Sequence, residues 1–162
     1  MRDYYKWAKE FSDKYIKPVA EEIDEKGKFP KEIFDKIKEE GFFKVLVPVE
    51  FGGEGAGPEA QAYITQAFAE GAATVGLGYT MHNVALKFVL TFANEELKKF
   101  IISEVVENNK MLSLARSEFE SGVYVFKSQT QLEEHDDNQD GNITPSQISR
   151  FSVIVCEQPA TS

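Results

Sequence analysis

Two stretches of this chain carry residue types at spacings that could do chemistry. The first is Lys44–Glu59, KVLVPVEFGGEGAGPE, where Gly52, Gly53, Gly55 and Gly57 crowd between Pro48 and Pro58. Such a loop can turn successive backbone N–H groups toward one phosphate. No Lys-Ser/Thr pair follows, and the spacing is not G-x-G-x-x-G. The favoured reading is therefore an ordered loop between two helices, anchored by Val45-Leu46-Val47. Pro58 stands where a helix would start, since its missing N–H is not needed there. The second stretch is Asp136–Thr144, DDNQDGNIT. Asp136, Asn138 and Asp140 are spaced as the first oxygen donors of a calcium loop, with Gly141 at its turn. The closing position, normally a bidentate Glu, is Gln147, which offers one neutral oxygen. The entering segment Leu132–His135 also lacks an apolar helix face. An acidic hairpin turn is favoured, and a weak calcium-binding module over 136–147 stays as an alternative.

The remaining reactive side chains are few. His82 and His135 are too far apart in sequence to make a persuasive metal site. His82 lies on an apolar helical stretch and reads as a hydrogen-bonded packing residue. Cys156 sits in an apolar run and reads as buried filler. As the single cysteine it excludes an internal disulfide and fits a reducing compartment, so a cytoplasmic location is expected.

The elements that must position these residues follow from pattern. The chain has 162 residues, 42% hydrophobic and 28% charged, the composition of an ordinary globular protein. Its net charge of −9 and pI of about 4.8 argue against a nucleic-acid partner. The amphipathic, acid-containing N-terminus does not read as a secretory signal, and no apolar run approaches membrane-spanning length. Tyr4, Ala8, Phe11 and Tyr15 recur at helical spacing, and Trp7 also reaches Phe11. A bend is expected near Pro18, and Lys26-Gly27-Lys28 ends this helix. Pro30 opens another, with Ile33, Phe34 and Ile37 inward and Gly41 as its cap. Pro58–Glu70 reads as helix with Tyr63, Ile64, Ala67 and Phe68 inward. Gly71, Gly76 and Gly78 leave the next segment ambiguous. From Thr80 a helical stripe of Met81, Val84/Ala85, Phe88 and Phe92 is expected. Asn94 caps a further helix, with Glu95 and Glu96 in its first turn and Leu97, Phe100, Ile101 and Val105 buried. Phe11, Ile33, Phe34, Ile37, Ile64, Phe88 and Ile101 are the expected core.

Beyond Lys110 the character changes. Met111–Ala115, Val123–Phe126 and Phe151–Cys156 read as strands. Helices first and strands afterwards give an α+β chain, mainly α, with an N-terminal helical bundle followed by an incomplete antiparallel β region. The expected domains are 1–109 and 110–162.

These residues resemble the acyl-CoA dehydrogenase family. The N-terminal helical domain of that family is similar to Phe29–Gly57, FPKEIFDKIKEEGFFKVLVPVEFGGEGAG. A histidine on a helix, as at His82, and an Asn-Glu-Glu helix, as at Asn94–Glu107, continue the likeness. Ser113–Glu118 stands where the family has a strand followed by Thr-Glu-Pro. Asn142-Ile143-Thr144, then Phe151–Val155, resembles its Trp/Phe-Ile-Thr-Asn segment. The likeness is strong to about Glu118 and weak beyond. Phe119 replaces the family proline, Glu120–Tyr124 replaces its small-residue run, Asn142 replaces an aromatic that lies against the flavin, and Pro145 follows Thr144 where Asn is usual.

The resemblance implies FAD-dependent α,β-dehydrogenation of acyl-CoA thioesters. It implies that Ser117 hydrogen-bonds the flavin ring, that Arg116 contributes backbone there, and that Thr144 lies near the reactive edge. Ordinary strand-end hydroxyls remain the competing reading of Ser117 and Thr144. The family's glutamate base lies in a C-terminal helical bundle beyond Ser162, so no catalytic base is assigned here, and Glu118 is carried over only as a turn residue. The expected function is thus the N-terminal portion of such an enzyme. FAD would be weak or absent in this chain alone, and a C-terminal half or a homo-oligomer is the expected partner. A non-catalytic interaction protein on the same scaffold is the alternative.

Overall fold

The computed structural model describes residues 2–115 and 152–156. The described chain is mainly helical and ends in paired strands. Helix α1 (Tyr4–Phe11) is capped by Asp3, whose carboxylate accepts from the Lys6 N–H at 3.0 Å. The chain then loosens into a π turn at Ser12–Ile16 and a 3-10 turn at Lys17–Val19 before α2 (Ala20–Lys26). Pro18 has no N–H to continue the ladder, so the expected bend falls here. The π turn also meets the end of α4, where a Cβ on Gly71 would come within 2.4 Å of Ser12 Oγ. Gly27 leaves α2 at φ 56, and Gly41 follows α3 (Lys31–Glu39) at φ 86, positions that favour glycine.

Helix α4 (Pro58–Gly71) packs along both α1 and α5 (Ala73–Phe92). A single extended residue, Ala72, separates α4 from α5. The ambiguous segment is therefore helical from Ala73. Its glycines serve close packing rather than a turn. A Cβ on Gly76 would sit 2.8 Å from Ala69 Cβ, and one on Gly78 would sit 2.4 Å from the Phe34 ring. Each glycine costs a helix about 1 kcal/mol relative to alanine, and the close approach of its neighbours offsets that cost. Helix α6 (Glu95–Val106) opens on Asn94, whose side chain accepts from the Leu97 N–H at 2.8 Å. Strand β1 (Met111–Ala115) pairs antiparallel with β2 (Ser152–Cys156), with Leu112 opposite Val155. Val123–Phe126 lies outside the described residues.

The core runs from Ala8 and Phe11 through Ile33, Phe34, Ile37, Phe42, Phe43, Ile64 and Phe68 to Tyr79, Leu86, Ile102 and Leu112. Aromatic rings stitch it together: Trp7 stacks on Phe42 at 3.8 Å, and Phe42 and Tyr79 both meet Phe68 edge-on. Several expected inward residues are corrected. Tyr63, Phe92, Leu97 and Phe100 are exposed, and Phe88 is only half-buried. The physical reason is phase. Helix α4 turns Ala60, Ile64, Ala67 and Phe68 inward, which leaves Tyr63 to the side. Helix α6 buries Ile101, Ile102 and Val105, and α5 buries Val75, Tyr79, His82, Ala85, Leu86 and Val89.

Candidate functional site

The glycine loop folds upon itself. The N–H groups of Gly52, Gly53 and Gly55 donate to the carbonyls of Val49, Pro48 and Val47, and those of Glu54 and Ala56 donate to Lys44 and Val45. These donors are not available to a phosphate. A Cβ on Gly53 would lie 2.0 Å from the Val47 carbonyl oxygen, so glycine is required there by close backbone approach. Arg2 clamps the loop through a 2.6 Å ion pair with Glu54, which also accepts from the Tyr4 hydroxyl at 3.1 Å. The stretch is an ordered loop between helices, as its spacing implied.

Chemistry-bearing residues converge instead around α5. His82 is fully buried, its ring stacked on Phe43 at 4.0 Å and 22°. Its Nδ1 accepts the Leu112 N–H of β1 at 3.0 Å. That bond assigns the neutral tautomer with its proton on Nε2. Nε2 is buried and has no hydrogen-bond partner among the described residues. Burial drives the His82 pKa down to about 3; the Phe43 backbone partly opposes this, and Lys38 adds to it. An imidazole this hard to protonate is a fixed acceptor, not a general acid or base at neutral pH. It is the packing histidine the sequence implied, with a partner the sequence did not reveal.

Beside it, Asn83 is buried and donates to the Tyr79 carbonyl at 2.9 Å, while its Oδ1 has no partner among the described residues. Asn83 lines a cleft of about 200 Å³ with Leu46, Ala56, Gln61, Leu86 and Lys87. Tyr79, also buried, donates its hydroxyl to the Phe42 carbonyl at 3.2 Å, and burial raises its pKa well above the usual phenol range.

The opposite side of α5 is apolar as well. Leu77 and Phe92 are 63% and 75% exposed, and Met81, Val84 and Phe88 between them are half-buried. Phe88 and Phe92 lie 5.6 Å apart, and exposed Leu97 and Phe100 on α6 follow in sequence. A stripe at i, i+4, i+7 and i+11 is one helical face. The periodicity found this stripe. Its exposure was missed, and the available signal was that α5 is apolar on both sides.

Arg116, Ser117, Glu118 and Thr144 lie outside the described residues, as do His135 and the 136–147 loop. Arg116 and Ser117 follow directly on β1, whose last residue is Ala115. Cys156 ends β2, with its backbone opposite Met111. Among the described residues no group of His, Cys, Asp or Glu side chains is arranged to hold a metal ion. No described helix is long and apolar enough to cross a membrane.

Residues 2–109 match the family described as acyl-CoA dehydrogenase, N-terminal domain. The 3-(aryl)acrylate reductase of Clostridium sporogenes is 31% identical over 115 residues, which are 70% of this chain and 30% of the reductase. The probable acyl-CoA dehydrogenase FadE25 of Mycobacterium tuberculosis is 32% identical over 111 residues, 68% of this chain and 28% of that protein. The chain thus spans less than a third of these relatives. In fold it is similar to a chain from a structure of the electron transferring flavoprotein of Acidaminococcus fermentans. The TM-score is 0.71 at 21% identity, with 84% of this chain and 37% of that chain covered.

Proposed function

The chain belongs to the acyl-CoA dehydrogenase family through its N-terminal domain, and from that premise we propose that it forms one wall of a site where an acyl-CoA thioester meets FAD. The reaction is α,β-dehydrogenation of the acyl group, or the reverse reduction of an α,β-unsaturated one. The observation that carries this reading is the second apolar face of α5, running from Leu77 through Met81 and Val84 to Phe92. Such a stripe takes an acyl chain or another apolar part of the enzyme, because either removes it from water.

The donors for a flavin in this reading come from the family resemblance. Ser117 and the Arg116 backbone would hold the ring at the end of β1, and the Thr144 hydroxyl would stand near its reactive edge. FAD, when bound, supplies the hydride acceptor. The chain's own residues bind, orient and exclude water. The glycine loop holds no phosphate in this reading, since its N–H groups are engaged internally. The stripe carries no ionisable side chain, so it does not itself supply the α-proton base. The name of the Clostridium relative favours keeping the reductive direction open, because one site serves both directions of a reversible step.

The test combines the purified chain with FAD, a saturated acyl-CoA and an electron-accepting dye. It is run with and without the C-terminal half of a family enzyme added as a separate chain. Turnover is expected only with the added half, together with shifts in the methyl resonances of Leu77, Met81 and Val84 when acyl-CoA is present. Full turnover by the chain alone would place the base within it. Turnover without any change at those methyls would remove α5 from the site.

A further inference from the structure

Strand β1 has two edges. Successive backbone N–H groups of a strand point to opposite sides, and β2 lies on one of them. The Leu112 N–H does not go to β2. It donates to His82 Nδ1 at 3.0 Å, so a side chain of α5 stands where a neighbouring strand would stand. The ring that accepts it is held by its stack on Phe43 and is fully buried. Leu112 itself is fully buried. A slip of one residue would present an N–H facing the wrong way and lift Leu112 out of the core. Among the described residues, Lys38 on α3 is the charged group that acts on His82. Nothing in this arrangement asks the imidazole to move a proton.

We propose that His82 is a positioning residue that sets the register of β1 against α5 and thereby fixes where the strand's last residue, Ala115, delivers the chain to the cofactor site. The cofactor half rests on the flavoenzyme reading above; the register half does not. His82 acts through an acceptor atom, so a ring that stacks but cannot accept fails. A smaller side chain with an oxygen near the place of Nδ1 succeeds.

The experiment uses the full chain in three forms: the native one, His82→Phe and His82→Asn. Amide exchange is followed by NMR. In His82→Phe the Leu112 amide should exchange about 10- to 100-fold faster relative to the α5 amides, as expected for a buried donor that loses its partner. His82→Asn should recover most of that protection. Nitrogen NMR of the native imidazole should show Nδ1 bare and Nε2 protonated, a reading that stands even if the Phe variant does not fold. Unchanged Leu112 protection in His82→Phe, equal loss in both variants, or a proton on Nδ1 would overturn the register role. FAD affinity is then measured with the C-terminal half of a family enzyme added. It should fall in His82→Phe and return in His82→Asn. Loss of Leu112 protection with unchanged FAD affinity would overturn the cofactor half alone. No FAD binding by the native form would sink the flavoenzyme reading and that half with it, leaving the register to the exchange data.

Discussion

Helix α5 shows two apolar faces with different fates. One carries Val75, Tyr79, His82, Leu86 and Val89, packed against the rest of the domain until each is buried. The other carries Leu77, Met81, Val84 and Phe92, and its ends remain open to water. Both faces have helical spacing, so hydropathy does not separate them. What separates them is complementarity. The buried face has glycines that let α4 and Phe34 come close and a histidine that meets a strand. The open face has bulk that stays in water at its two ends, Leu77 and Phe92, and the proposed acyl site would cover it.

Substitutions on the packed side should have the largest effects. Phe34 is fully buried and lies against Gly78. Phe34→Ala should cost about 3–5 kcal/mol, and Leu86→Ala about 2–5 kcal/mol, by lost transfer energy and the cavity left behind. Chemical denaturation with an unchanged slope is the measurement. A loss near zero at either position would mean that the packed face is less well filled than its burial implies.

Acid gives the next largest effect. His82 is neutral in the fold, with its pKa lowered from 6.5 to about 3 by burial. Between those values the unfolded chain binds the extra proton, so stability falls as pH falls below about 6.5 and is fully present above it. The loss near pH 5 relative to pH 8 should be about 2 kcal/mol. Asp13 is held below the usual carboxylate range by Lys17 and Lys9, and its contribution disappears at lower pH. The higher window therefore reports His82. It should vanish in His82→Asn, which has no group to titrate; persistence of the same slope in that variant would assign it elsewhere.

Much of the fold was legible because single residues forced it. Gly27 and Gly41 take positive φ, Pro18 breaks a ladder, and Pro58 starts a helix. The beginning of α5 was not legible, since Gly76 and Gly78 resemble turn formers until Ala69 and Phe34 are seen against them. Nor was the choice of inward face, which depends on partners distant in sequence. The glycine loop was read correctly from what its spacing lacked. The anchoring of β1 by His82 was hidden because a hydrogen bond across 30 residues leaves no local pattern. Arg116, Ser117 and Thr144 came from family resemblance alone.

A smaller effect tests the turn between α5 and α6, next to the open face. Asn94 accepts the Leu97 N–H and fixes where α6 begins. Asn94→Ala should cost about 1 kcal/mol, read as a drop in melting temperature. A larger loss would show that this cap also supports the packed side.

The smallest effect is the most informative. Leu77→Ala makes the same chemical change as Leu86→Ala on the same helix, but Leu77 is 63% exposed where Leu86 is 1% exposed. A surface substitution of this kind should alter stability by no more than about 0.5 kcal/mol. If the open face is a wall of the acyl site, Leu77→Ala should instead weaken binding of an acyl-CoA or of the added C-terminal half, measured by calorimetry on the reconstituted system. Leu86→Ala should reverse the pattern, lowering stability with little change in affinity where the variant remains folded. Equal stability losses at the two positions would mean that both faces are packed, and the contrast would collapse. Unchanged affinity in Leu77→Ala would leave that end of the helix with a solvent role and confine the site to the turns nearer Met81 and Val84.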